Sequence, residues 1–283
     1  MNDIAPPEPA EIRALTAAAT RHETPCGDGR MIWHGWGAAD APVLVLLHGG
    51  AGSWRHWVRN IADLARDHRV LAADAPGLGE SADPPLPHDA ATVSGVIADG
   101  ITTLLGNAAR YHLAGFSFGG VMAGCVAALH GARVRSLAIA GAGGLGLERG
   151  ITPLMKVRHL SGPERAAAHR HNLAALMIAD PAKIDALALA IQDWNTRHTR
   201  LRTPRISRGT VLAEALAKIA APLAGIYGGA DATCLPDMAA RARVFRELQP
   251  GATFEIIPGV GHWVQYEAPD AYGTALRRSM ARG

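Results

Sequence analysis

Lysine is almost missing from this chain of 283 residues: Lys156, Lys183 and Lys218 are the only three, so the basic residues are nearly all arginine. The arginines are scattered, with no basic block of the kind that tracks a phosphate backbone. Nucleic acid is therefore not an expected partner, and the arginines read as a solvated surface. Cysteine is sparse as well. Cys26, Cys125 and Cys234 are odd in number and far apart, which excludes a disulfide framework and any metal-ligand spacing. Cys125 reads as a small core residue in an apolar stretch, and Cys234 as a bystander to the residues discussed below. No uninterrupted apolar run reaches the length needed to cross a bilayer. The opening residues, Met1 to Pro9, lack the cationic start and apolar core of a secretory signal. The expected setting is a reducing cytoplasm without a membrane partner. No internal repeat or low-complexity tract is visible.

What is present describes a packed globular protein. Apolar residues make up 48% of the chain and charged ones only 19%. The length suits one domain with an insertion, or two domains. The proline-rich first ten residues read as a loose tail. Leu15 to Thr24 and Met31 to Trp36 are expected as two strands joined through Gly27-Asp28-Gly29. Ala41 to Leu47 is a continuous apolar run of strand length, which suits a strand covered on both faces. Trp54 to Ala65 reads as a helix with Ser53 as its N-cap. A second buried strand, Arg69 to Ala73, leads into the rigid loop Asp74 to Ser81. A helix at Ala91–Leu105 follows, then strands at 111–114 and Val134–Ala140. Strands alternating with helices predict a parallel sheet.

The rhythm breaks at Leu147. From there to Ile219 the signals are helical, with starts at Ser161-Gly162-Pro163-Glu164 and at Asp180-Pro181. This stretch is expected to be a cap inserted over the sheet. The expected division is thus core at 1–146, cap at 147–219 and core again at 220–283. Strand patterns resume at Pro222–Gly228 and Thr253–Ile257, with helices from about Pro236 to Leu248 and to about Met280.

Gly115-Phe116-Ser117-Phe118-Gly119 fits G-x-S-x-G between an apolar strand and an apolar helix. A serine on such a sharp turn exposes its Oγ, and the first amides of the helix point at the same spot. Gly115 and Gly119 are needed because a Cβ would collide across so tight a turn. Two other loops at strand C-terminal ends carry Asp231 and His262, and in an open α/β sheet these ends share one edge. Serine needs a base to become a nucleophile. His262 can supply it, and Asp231 can hold the imidazole in the correct tautomer. The alternative readings are a turn residue for Asp231 and an ordinary loop histidine for His262. For an oxyanion hole the backbone N–H of Phe118 is one donor and that of Gly50 the favoured second, with Gly49 the other candidate. The alternative for His48-Gly49-Gly50 is a plain tight turn. Asp74 reads as a structural residue at the head of its loop. Trp263, beside the base, is a candidate pocket wall or plain packing.

On these motifs, together with D-x-P-G-x-G-x-S at 74–81 and Gly261-His262 followed by Gln265, Glu267 and Pro269, the chain resembles the α/β-hydrolase family. The likeness covers about residues 20–145 and 210–283. It implies a mostly parallel eight-stranded sheet flanked by helices, a cap after the sixth strand, and no metal or organic cofactor. Serine at the elbow argues against the aspartate-dependent haloalkane dehalogenases and soluble epoxide hydrolases. Among serine members the meta-cleavage product hydrolases, which cut a carbon–carbon bond in vinylogous diketo acids, are similar at Gly143-Gly144-Leu145-Gly146 and around His262. Their oxyanion loop continues Gly-Pro-Gly, where this chain has Ala51-Gly52-Ser53-Trp54. Their cap also carries an arginine that meets the substrate carboxylate; Arg197 and Arg200 lie near that place. The leading expectation is a serine esterase of small acyl substrates, with the C–C hydrolase as runner-up. Cofactor-free haloperoxidase or perhydrolase chemistry and a non-catalytic receptor follow. Homo-oligomerisation is open.

Overall fold

A computed structural model describes residues 8–150, 152–235 and 237–283 of the chain. Eight strands form one sheet: β1 (Thr20–Cys26), β2 (Gly29–Trp36), β3 (Val43–Leu47), β4 (Arg69–Ala73), β5 (Tyr111–Phe116), β6 (Val134–Ala140), β7 (Leu223–Gly228) and β8 (Thr253–Ile257). Their order across the sheet is β1-β2-β4-β3-β5-β6-β7-β8. β2 pairs antiparallel with both β1 and β4, and every pairing from β4 to β8 is parallel. The mostly parallel eight-stranded sheet is as expected.

The apolar runs become strands because both faces are covered. Val45, Leu47, Leu71, Ala73, Leu113, Leu137 and Ile139 enter one buried cluster. Their alternating neighbours Leu44, Leu46, Val70, Ala72, Ala114, Phe116, Ala138 and Ala140 enter the other. This is the period of two that a strand imposes on side chains. The first layer is closed by the helices Ala90–Leu105 and Phe118–His130, and the second by residues 54–64 and the helix Pro269–Met280.

Local chemistry sets several boundaries. The helix at Ala90–Leu105 starts where the Asp89 carboxylate accepts the Thr92 N–H at 2.8 Å, one residue ahead of expectation. Residues 10–18 form a helix, so β1 begins at Thr20 rather than Leu15. Ile12 is buried on that helix, and Trp36 Nε1 donates to the Leu15 carbonyl. This tertiary contact outweighs the weak strand signal. The helix expected at 54–65 is broken into a 3₁₀ turn, Trp54–Trp57, and a short helix, Ile61–Leu64. There Asp74 Oδ1 takes the Trp54 N–H and Ser53 Oγ donates to Asn195 Oδ1. The last helical stretch is interrupted at Ala268, ahead of Pro269, whose ring disfavours a helical residue before it. Of the tail expected over the first ten residues, 1–7 lie outside the described residues, as does the expected helix start at Pro236, and a helix already begins at Ala10.

Between β6 and β7 runs a helical insert. Gly162–Asn172 continues into a π turn at Leu173–Met177, and a 3₁₀ turn at Pro181–Lys183 precedes the helix Ala186–Arg197. Asp180 and Asp185 each cap the helical turn that follows. A last insert helix, Val211–Leu216, buries Leu212 against Gly124 of the Phe118–His130 helix and so belongs to the layer flanking the sheet. Among the described residues no helix is long and apolar enough to cross a membrane.

Candidate active site

Ser117 sits between β5 and the helix that starts at Phe118, with φ 52° and ψ −116°. A non-glycine residue in that region costs about 1–3 kcal/mol and survives only where its surroundings over-determine it. Here they do. The Ser117 N–H donates to the Ala140 carbonyl at the end of β6 (2.7 Å), and its own carbonyl accepts from Gly120 N–H (2.9 Å). A Cβ on Gly119 would overlap the carbonyl oxygens of Leu47 and His48, and one on Gly115 would overlap the Gly119 carbonyl. The two glycines let the helix drop close enough to hold the serine up.

Ser117 Oγ lies 3.0 Å from His262 Nε2, and His262 Nδ1 lies 2.8 Å from Asp231 Oδ2. A carboxylate only accepts, so Nδ1 carries the proton. In the neutral ring Nε2 is then the acceptor facing the serine hydroxyl. Asp231 is fully buried, and burial pushes its carboxyl up. The facing imidazole and the Thr233 N–H and hydroxyl, both 2.8 Å from Oδ1, outweigh that and hold it below its ordinary value. The loop of His262 is fixed from the other side by Glu267. Its buried carboxylate accepts from Gly261 N–H (2.7 Å), Ala179 N–H (3.0 Å) and Asp180 N–H (2.9 Å).

The loop after β3 is organised just as tightly. His48 is buried, with Nδ1 donating to the Gly49 carbonyl (2.7 Å) and Nε2 accepting from Ala75 N–H (2.9 Å). Burial lowers its pKa to about 4, so the ring stays neutral. Gly49 N–H is engaged by His56 Nδ1 at 3.3 Å. The amides of Gly50 and Phe118 have no protein acceptor among the described residues. Asp74 is a staple between loops: Oδ1 accepts from Trp54 N–H and Oδ2 from Glu80 N–H.

A cavity of about 540 Å³ opens above Ser117, and Gly49, Gly50, Phe118 and His262 are in its wall. The insert supplies much of the rest, from Arg149, Leu154, Met177, Thr199 and most of residues 201–208.

The family model for the alpha/beta hydrolase family matches residues 44–275. The chain belongs to that family. This alpha/beta hydrolase is 32% identical over 267 residues to the dihydrolipoyllysine-residue acetyltransferase component of the acetoin cleaving system of Pseudomonas putida, covering 86% of this chain and 64% of that protein. The hydrolase thus spans under two thirds of that relative's length. It is 26% identical over 270 residues to a 2-hydroxy-6-oxo-6-(2'-aminophenyl)hexa-2,4-dienoic acid hydrolase of Metapseudomonas resinovorans, covering 85% of this chain and 84% of that one. Its fold is shared with an esterase from Rhodococcus sp. ECU1013, with a TM-score of 0.77 at 22% identity over 93% of this chain and 98% of that one.

The pocket-wall reading of Trp263 needs correction in this chain. Trp263 is not in the cavity wall. It is fully buried, donates Nε1–H to the His56 carbonyl at 2.9 Å and stacks on Tyr266. Arg197 and Arg200 do not line the cavity either. Arg197 is bonded to Asp193 (2.8 Å), and Arg200 to Asp83 (2.7 Å) and the Ser81 carbonyl. The cavity arginines are instead Arg149, Arg202, Arg205 and Arg208. Sequence reading also missed Thr233 and His56. Asp-x-Thr spacing, which lets a hydroxyl reach back to the carboxylate, was the available signal for Thr233. Nothing in the sequence singled out His56.

Proposed function

We propose that this hydrolase is a serine carboxylesterase acting on small acyl esters. The observation that carries the reading is His262 bridging Ser117 Oγ and the buried Asp231 carboxylate at hydrogen-bond distance on both sides. Ser117 Oγ attacks the ester carbonyl while His262 Nε2 takes its proton. Asp231 keeps the proton on Nδ1 and stabilises the imidazolium. The oxyanion is held by the N–H groups of Phe118 and Gly50, both without a protein acceptor among the described residues. Each such donor contributes about 3–4 kcal/mol to the transition state. The imidazolium protonates the departing alcohol, and a water activated by His262 then releases the acid from the acyl-enzyme. In this reading residues 147–208 act as the cap that shapes the pocket.

A second reading, cleavage of a carbon–carbon bond in vinylogous diketo acids, is favoured by the similarity to the Metapseudomonas enzyme. Against it, the loop after His48-Gly49-Gly50 continues Ala51-Gly52-Ser53-Trp54 rather than Gly-Pro-Gly. Two experiments test the proposal. A fluorophosphonate should label Ser117 and abolish hydrolysis of p-nitrophenyl esters; labelling without loss of turnover sinks the serine mechanism. A paired assay against a meta-cleavage dienoate should favour the esters, and a preference for the dienoate by orders of magnitude replaces the first reading with the second.

A further inference from the structure

Charge around Ser117 is of one sign. Arg149, Arg202, Arg205 and Arg208 share the cavity wall with Ser117 and His262, and among the described residues no Asp or Glu does. A second cavity, of about 590 Å³, shares Gly50, Ala51, Leu154 and Met177 with the first. It adds Lys156 and Arg158, again without a carboxylate. The whole chain has 28 basic residues against 25 acidic ones, so walls of mixed sign would be the chance outcome. Other insert arginines are paired: Arg165 and Arg197 with Asp193, Arg200 with Asp83. The four guanidinium groups of the reaction cavity have no acceptor among the described residues.

The backbone explains their grouping. Arg202 is the N-cap and Arg205 the last residue of a 3₁₀ turn, Thr203–Arg205, and Arg208 follows three residues later. Leu201 before them and Ile206 and Ser207 between Arg205 and Arg208 are buried, while the three arginines are exposed. The turn is seated on the oxyanion loop, because a Cβ on Gly50 would overlap Thr203 Oγ1. The cations are thereby held at the mouth of the reaction site.

We propose that the ester cleaved here carries an anionic oxo-acid group, a carboxylate or a phosphate, on the arm that reaches this rim. The planar guanidinium fork matches either group, and a cleft of one sign raises the local concentration of the opposite charge. The proposal rests on the carboxylesterase reading.

The test uses four aryl acetates of similar size: neutral phenyl acetate, 4-acetoxybenzoate, 4-acetoxyphenyl phosphate and cationic (4-acetoxyphenyl)trimethylammonium. Each kcat/KM is divided by the ester's rate with hydroxide to remove intrinsic reactivity. The parent should favour an anionic ester over the neutral one by roughly tenfold at low salt. The advantage should shrink as ionic strength rises, since these side chains are exposed. The arm showing the larger ratio identifies the oxo-acid. In Arg202→Gln/Arg205→Gln/Arg208→Gln the anionic-to-neutral ratio should fall towards one. Arg205→Glu, a single exposed change that tests the same point if the triple variant does not fold, should move the preference towards the cationic ester. Equal ratios in the parent, or an unchanged ratio in a folded variant, overturn the proposal while leaving the esterase reading intact. Failure of the parent to hydrolyse all four esters, or full activity in Ser117→Ala, removes the esterase reading itself.

Discussion

At the sheet edge, Ser117, Asp231 and His262 stand on turns whose polar groups are paired and whose glycines leave no room for a methyl group. In the insert above them, Arg149, Arg202, Arg205 and Arg208 are exposed and unpartnered among the described residues. The first region holds its side chains at hydrogen-bond distance from one another, on turns tied to neighbouring strands. The second presents charge without fixing it. One would be expected to tolerate almost no change, the other to tune which molecule arrives. Their contacts include Thr203 against Gly50 and Glu267, which ties the His262 loop to Ala179 and Asp180.

The sharpest way to break this contrast is Ser117→Ala. It should lower kcat by roughly 10⁴-fold or more, since triad members act as a unit; an esterase rate within tenfold of the parent would move the chemistry elsewhere. Gly119→Ala comes next. Its methyl group would meet two backbone carbonyls that cannot turn aside, and destabilisation by several kcal/mol is expected in denaturant titration. A midpoint like the parent's would show that the edge is less rigid than its contacts imply.

Acid tests the sheet at both ends, through His48 at this edge and His112 near the start of β5. Burial holds His48 and His112 near pKa 4 in the folded chain, against about 6.5 when unfolded. The unfolded chain therefore takes up these protons first. The stability is fully present above about pH 6.5 and is lost as pH falls towards 4, by about 3 kcal/mol for fully buried His48. Thermal midpoints should drop through that window; a flat profile between pH 6.5 and 4 would contradict it.

Gly50→Ala probes the junction. The added methyl must displace Thr203 Oγ1 or tilt the proposed oxyanion amide, so kcat should fall about 10–100-fold. Adding Thr203→Ala should restore part of the loss, with a coupling of about 1 kcal/mol in a double-mutant cycle. Additive effects would separate the insert from the oxyanion loop. The smallest effect belongs to Arg200→Ala. Its pair with Asp83 is exposed and lies away from the cavity. A stability change under about 1 kcal/mol and an unchanged ratio between ester substrates are expected.

Sequence pattern and three-dimensional structure divide along the same line as these two regions. The continuous apolar run at 43–47 reads as a strand covered on both faces, and the mainly apolar segments 111–116 and 134–140 flanked by turn signals read as further strands. G-x-S-x-G between strand and helix leaves one backbone geometry. Asp231 and His262 follow strands whose ends the parallel topology gathers at one edge. Strand, turn and order in the chain are local or topological properties, so the sheet and the candidate triad residues were legible from sequence alone. The insert obeys no such rule. Which arginine reaches the cavity depends on how its helices dock, and docking is settled by contacts such as Ser53 with Asn195 and Glu267 with the amides of Ala179 and Asp180. Arg197 and Arg200 matched by position alone, yet carboxylates of the insert and of the 74–83 loop draw them away. Trp263 likewise sits one residue from the base and faces inward. Only the tertiary structure could decide these points, because a side chain's direction in an irregular segment is fixed by what packs against it rather than by any period along the chain.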